Sequence, residues 1–159
     1  MQKITVIAVG SDKEKYFTEA TKEYEKRLSR YAKTEVIVLK DEPIPDDPSE
    51  KEMQTVLAKE GQKILAAMPD GCLKVALCVE GKQLSSPELA KMLENAANTY
   101  PGVVFIIGGS LGIDQKIKDM CDVRLSFSKL TFPHRLMRVI LMEALYRAKT
   151  IERGEKYHK

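Results

Sequence analysis

An α/β layered fold, with a mostly parallel sheet and helices on both faces, is what the pattern of this chain predicts. Short apolar or β-branched runs alternate throughout with longer stretches whose apolar residues recur at helical spacing. At 159 residues and 17.9 kDa the chain is the size of one core. It has no internal repeat, low-complexity tract or linker, so a single domain over residues 1–159 is expected.

Ile4 to Val9 reads as the first strand, ending at Gly10. Ser11-Asp12-Lys13-Glu14 has the form of a capping box, with Phe17, Ala20, Tyr24 and Leu28 following at helical spacing. Val36 to Leu39 is a second short strand. The acidic segment Asp41 to Asp47, broken by Pro43 and Pro45, is a loop. Asp47-Pro48-Ser49-Glu50 then offers an N-cap, a proline at the first helical position and a carboxylate at the third. Met53, Val56, Leu57, Ile64, Leu65 and Met68 keep the period of that helix until Pro69-Asp70-Gly71 ends it. Leu73 to Val79 is the third strand, with Glu80-Gly81-Lys82 as a turn. Ser86-Pro87-Glu88 caps a helix carrying Leu89, Met92, Leu93 and Ala96 on one side, stopped by Tyr100-Pro101-Gly102. Val103 to Ile107 is the fourth strand, a short helix lies around Gln115 to Met120, and Val123 to Phe127 is the fifth strand. A long helix runs from Pro133 to about Ile151.

With 43% hydrophobic and 31% charged residues the composition is that of an ordinary globular domain. No apolar run approaches the roughly 20 residues that cross a bilayer, and the N-terminus reads as a strand with no cleavage-like site after it. A cytoplasmic protein without membrane contact is expected. Cys72, Cys78 and Cys121 are odd in number and lack C-x-x-C spacing, with His134 and His158 the only imidazoles, so reduced core cysteines and no metal are expected. The net charge of +3 is unevenly spread. Residues 129–159 carry eight Lys or Arg against three Glu, which leaves the rest of the chain negative. Such asymmetry marks either a phosphate-facing surface or a solvated basic helix end.

Two loops stand out as the edge of a small-ligand site. Gly108-Gly109-Ser110-Leu111-Gly112 follows the fourth strand; it is neither G-x-G-x-x-G nor a G-K-[ST] loop, which argues against a dinucleotide or P-loop site. It is either half of a binding site or simply a tight strand-to-helix turn. The second loop, Ser126 to His134, mixes hydroxyls, backbone and apolar side chains without carboxylates, and such walls suit a neutral adenine and ribose. Its plainer reading is a strand-to-helix connection started by Pro133. The helix after it is apolar almost all round, through Leu136, Met137, Val139, Ile140, Leu141, Met142, Ala144, Leu145 and Tyr146. It therefore lies either partly against a second copy of the chain or wholly inside one core. The tail, with Tyr157 and His158 among cations, reads as a frayed terminus or as a clamp for an unpaired RNA base.

The residues I-G-G-x-x-G-I over 107–113, L-S-x-S-K-L-T-F-P-H-x-L-x-R-V-x-L-x-E-x-L-Y-R-A over 125–148, and the closing Tyr157-His158-Lys159 carry a resemblance. The chain resembles the ribosomal RNA large subunit methyltransferase H family, the 23S rRNA pseudouridine N3-methyltransferases of the SPOUT superfamily, over essentially its whole length. The resemblance implies a C-terminal trefoil knot, a homodimer, and S-adenosylmethionine as cofactor. It implies cofactor binding by Leu77, Gly108, Gly109, Phe127, Ser128, Lys129, Leu130, Thr131, Phe132 and Pro133. The substrate it implies is 23S rRNA in the large subunit or the assembled ribosome. Tyr157 would position the target base and His158 would lie near it, while His134 structures the helix start. The proton on N3 would leave to His158, His134 or solvent. Lys159 stands where the family has Arg and lacks the guanidinium fork. Alternatives of other classes are a non-catalytic ribosome-associated RNA-binding protein of the same fold and a nucleotide-binding oxidoreductase.

Overall fold

The computed structural model describes residues 1–11 and 13–159. Five strands, β1 (Gln2–Val9), β2 (Ala32–Leu39), β3 (Leu73–Gln83), β4 (Gly102–Ile107) and β5 (Val123–Ser126), form one sheet in the order β2-β1-β4-β3-β5, with every pairing parallel. The helices are α1 (Lys15–Leu28), α2 (Glu50–Ala67), α3 (Ser86–Thr99), α4 (Gln115–Met120) and α5 (His134–Glu152). Strand side chains alternate between two cores, as the two-residue period requires. Ile4, Val6 and Ala8 of β1 join Val103, Phe105 and Ile107 of β4 beneath α1, α3 and α5. Ile7, Val9, Val104 and Ile106 face the opposite way, toward Ile64 of α2 and Ile117 of α4. Every residue of β4 is buried, which explains why that strand reads as a continuous apolar run.

Several boundaries differ from the sequence expectation for identifiable reasons. The second strand begins four residues earlier than expected, because Ala32 to Glu35 find register with Gln2 to Thr5 of β1. The helix expected from Asp47 begins at Glu50 instead. Ser49 is its N-cap, accepting from the Glu52 amide in a reciprocal capping box. Ser85, not Ser86, caps α3 in the same way with Glu88. The box expected at residues 11–14 does not form: α1 is capped by Glu14 without a side-chain bond, and Asp12 lies outside the described residues. The turn expected at residues 80–82 is a bulge within β3. Leu77 and Lys82 both lie opposite Leu125 of β5, so residues 78–81 leave the ladder between them.

The last helix is inserted between α1 and α3. Leu141, Met142, Leu145 and Ala148 are fully buried there, while Leu136, Met137, Val139, Ile140 and Ala144 are only half-covered, so α5 is not wholly enclosed by its own chain. Its first turns are tied to the end of β1. The Arg138 guanidinium, 1% exposed, donates to the Gly10 carbonyl at 2.7 Å, and the His134 imidazole packs against Gly10.

On the opposite face, Glu60 of α2 is 4% exposed and accepts the Glu42 amide at 3.0 Å, with its carboxylate lying behind Gly109. Burial raises its pKa, and the Glu42 amide bond only partly offsets this. Because the native chain then holds this proton more tightly than the unfolded chain, stability falls as pH rises from the ordinary carboxylate value through the raised one. Glu60→Gln keeps an acceptor for the amide and removes the titration. Urea melts at pH 4 and pH 8 should show the variant gaining on the wild type as pH rises; losing ground over that interval would contradict the assignment.

Candidate functional site

Three of the five strands, β3, β4 and β5, bring a bulge or C-terminal end to a cavity of about 780 Å³, within the range that takes drug-sized ligands. Residues 108–113 after β4 form one wall, residues 126–133 after β5 another, and the bulge of β3 a third. Leu77, Gly108, Gly109, Phe127, Ser128, Leu130, Thr131, Phe132 and Pro133 all line it, together with His134 and Met137 from the start of α5. Lys129, expected with them, is exposed and does not line the cavity. Residues 78–80 and Lys118 do line it and were not expected, since local sequence gives no sign that a turn after β3 and a lysine in α4 share a wall.

The glycine loop is shaped by close approach. A Cβ on Gly108 would lie 2.3 Å from the Gly112 carbonyl oxygen, a contact only a missing side chain allows. The Gly112 amide closes the turn on the Gly109 carbonyl at 3.0 Å, with Gly112 at φ +86°. The turn and the cavity wall are thus one object, so the two sequence readings of this loop are compatible. The other loop is held by its own hydroxyls: Ser126 donates to the Ser128 carbonyl at 3.0 Å, and Ser128 accepts the Leu130 amide at 3.1 Å. Leu130 stays 70% exposed at the rim.

The walls are largely uncharged. Among the described residues, Glu80 and Lys118 supply the only carboxylate and ammonium of the lining, 2.7 Å apart. The Lys118 bond holds the Glu80 carboxyl below its ordinary value, so it is ionised at neutral pH. Burial, and then Glu80, push the neighbouring Cys78 up, so it remains a thiol. Cys121, farther along, is raised to about 11 chiefly by burial. No group of three His, Cys, Asp or Glu that could hold a metal exists among the described residues, and none of their helices is long and apolar enough to cross a membrane.

Tyr157 and His158 are not brought to the cavity. After Gly154 the chain turns back, with the Glu155 amide bonded to the Thr150 carbonyl at 2.9 Å, in the 6→1 pattern of a Schellman close. Tyr157 then packs edge-on against Tyr146 and donates to Glu143 at 3.2 Å, under the Arg147 guanidinium. His158 Nδ1 lies 3.3 Å from Arg147. Burial and the Glu143 carboxylate push the Tyr157 phenol up, so it is a donor at neutral pH. The tail is therefore an anchored segment and not a frayed one. Its partners on α5 lie about 9–20 Å along the helix axis from His134 and Met137, which reach the cavity.

The basic C-terminal fifth is also less of a surface than its count suggests. Arg138 and Lys149 are buried; Lys149 is held by Gln2 and Glu152, Arg135 pairs with Glu14, and Arg147 pairs with Glu143. Lys129, Lys156 and Lys159 are the cations of this segment that stand most plainly in solvent.

A family model described as "Predicted SPOUT methyltransferase" matches residues 2–158. The chain is 48% identical over 157 residues to the ribosomal RNA large subunit methyltransferase H of Clostridium beijerinckii, covering 98% of this chain and 99% of that one. It is 49% identical over 158 residues to the protein of the same name from Streptococcus thermophilus, at 99% of each. Among solved structures, "The structure of a probable methylase family protein from Haemophilus influenzae Rd KW20" superposes with a TM-score of 0.52 at 12% identity, over 99% of this chain and 70% of that one, which is a likeness of fold. The chain belongs to the SPOUT methyltransferase family.

Proposed function

We propose that this chain is an S-adenosylmethionine-dependent methyltransferase acting on N3 of a pseudouridine in 23S ribosomal RNA, within the large subunit or the assembled ribosome. The observation that carries this reading is the cavity itself, which is near-neutral and walled by the two loops that the family resemblance assigns to the cofactor. The relatives named above are named for the RNA of the large ribosomal subunit. The fit to an adenosine-bearing ligand rests on apolar walls from Leu77, Ile107, Leu125 and Phe127, on hydroxyls at Ser128 and Thr131, and on backbone left bare at Gly108 and Gly109. The protein would work in the cytoplasm.

The C-terminal part would be threaded as a trefoil knot. In support, the chain leaves β5 on the outer side of β3, passes the bulge whose Gly81 lies against the Arg124 carbonyl, and arrives at Gly10 beyond β4. It thus crosses back over strands already laid down.

When bound, the cofactor would supply a methyl group already activated as a sulfonium. The chain's task is then to hold that carbon in line with N3 and to exclude water. N3 forms the new bond and gives up its proton, for which His134 at the wall, His158 of a tail, or solvent is the acceptor. The raised phenol of Tyr157 suits a donor that positions the base.

Because each tail is anchored on its own α5, a homodimer would complete the site. Leu136, Val139, Ile140, Glu143 and Arg147 form a half-exposed stripe leading from the cavity toward the tail anchor. A twofold pairing with the stripes antiparallel would set one copy's tail beside its partner's cavity.

Calorimetry tests the cofactor and the tail together. Wild type and a variant lacking residues 157–159 should bind S-adenosylmethionine alike, while methyl transfer to ribosomes falls by about 100-fold or more in the truncation. No heat from folded wild type at millimolar cofactor would refute the methyltransferase reading in favour of a non-catalytic RNA-binding protein. Equal loss of binding and transfer would make the tail structural. Ile140→Asp should convert the dimer to monomer or aggregate on size exclusion; an unchanged elution volume would remove α5 from the interface.

A further inference from the structure

We propose that Glu80 and Lys118 form a subsite for the amino-acid end of the methyl donor, Lys118 receiving its α-carboxylate and Glu80 its α-ammonium. The inference rests on the donor reading above and deepens it. S-adenosylmethionine has two chemically unlike halves, an uncharged adenosine and a zwitterionic amino acid. The cavity is divided in the same way. The segments at residues 107–113 and 125–133 offer hydroxyls, apolar carbon and backbone, whereas the two full charges of the lining sit together on the bulge of β3 and the last turn of α4.

Their placement is not that of an incidental surface pair. Exposed ion pairs such as Arg27–Glu23 and Lys91–Glu94 join neighbouring turns of one helix, and pairs of that kind contribute little. Glu80 and Lys118 are 38 residues apart, meet at 2.7 Å, and Lys118 is only 17% exposed. The bulge is what brings them together: had β3 run straight through residues 78–81, Glu80 would be a ladder residue and not part of the wall. Without ligand the two charges satisfy each other. A zwitterion can insert by exchanging each for its opposite, so that no charge is stranded in a partly covered site. Glu80 is also the only carboxylate of the lining, among the described residues, available to offset the sulfonium of the intact donor.

The test uses S-adenosylmethionine with two ligands that lack the sulfonium: S-adenosylhomocysteine, which keeps the amino-acid end, and 5′-methylthioadenosine, which does not. Calorimetry on the wild type should show S-adenosylhomocysteine binding more tightly than methylthioadenosine. Lys118→Gln should weaken S-adenosylmethionine and S-adenosylhomocysteine by about 10- to 100-fold, the scale of one lost charge-assisted bond. Methylthioadenosine should stay within about 2-fold of wild type under the same substitution, because it makes no such bond. Glu80→Gln, at a side chain 53% exposed and so tolerant of change, should act in the same direction. Equal weakening of all three ligands would make the pair a structural strut and overturn the proposal, as would undiminished S-adenosylhomocysteine binding in both variants. If folded wild type binds none of the three, the donor reading itself fails and the subsite falls with it.

Discussion

The bond from Arg138 to the carbonyl of Gly10 spans 128 residues, and much of the candidate site depends on it. It pins the first turns of α5 to the end of β1, on the far side of β4 and β3 from the strand that precedes α5. The segment between β5 and α5 must therefore run back across the C-terminal edge of the sheet. That obliges it to face the glycine loop, and the space left between them is the cavity. A guanidinium 1% exposed is costly to leave unsatisfied, so this arrangement is fixed by electrostatics as well as by packing. Gly108, with no room for a Cβ against Gly112, lets the facing loop fold tightly enough to serve as the opposite wall.

From the same anchor follows the double character of α5. One side supplies Leu141, Met142, Leu145 and Ala148 to the core between α1 and α3. The other side stays half-covered along its length, joining the cavity at Met137 to the tail cluster at Glu143 and Arg147. The chain thus walls a cavity at one end of α5 and places Tyr157 and His158 toward the other. In the proposed account the tails are exchanged between copies, which makes use of a helix face that one copy leaves unfinished.

What could be read from sequence, and what could not, follows the range of the interactions involved. Strand and helix existence came through because burial on two faces writes itself into composition, as in β4. Both cavity loops were legible because glycine and hydroxyl runs interrupt apolar ones. Helix starts were less secure. The S-x-x-E signature marks the true cap at Ser49 and at Ser85, yet at Ser11 the same signature does not cap α1, because the first turn of that helix starts only after Glu14. Glu80 looked like a turn residue since its displacement depends on Leu77 and Lys82 both meeting Leu125, more than forty positions away in sequence. Basic charge was overcounted as surface, because sequence cannot show that Arg138 and Lys149 are buried and Arg135 and Arg147 paired.

The central claim is that one copy's tail serves the other copy's cavity, and a mixed dimer tests it most directly. One copy would lack residues 157–159; the other would carry Thr131→Trp to fill its cavity; differently tagged, the two would be co-expressed and the heterodimer purified. Each variant homodimer should be inactive, while the heterodimer should methylate at about half the wild-type rate, since one of its two symmetry-related sites is whole. An inactive heterodimer whose truncated copy still binds S-adenosylmethionine, or an active truncated homodimer, would contradict the account.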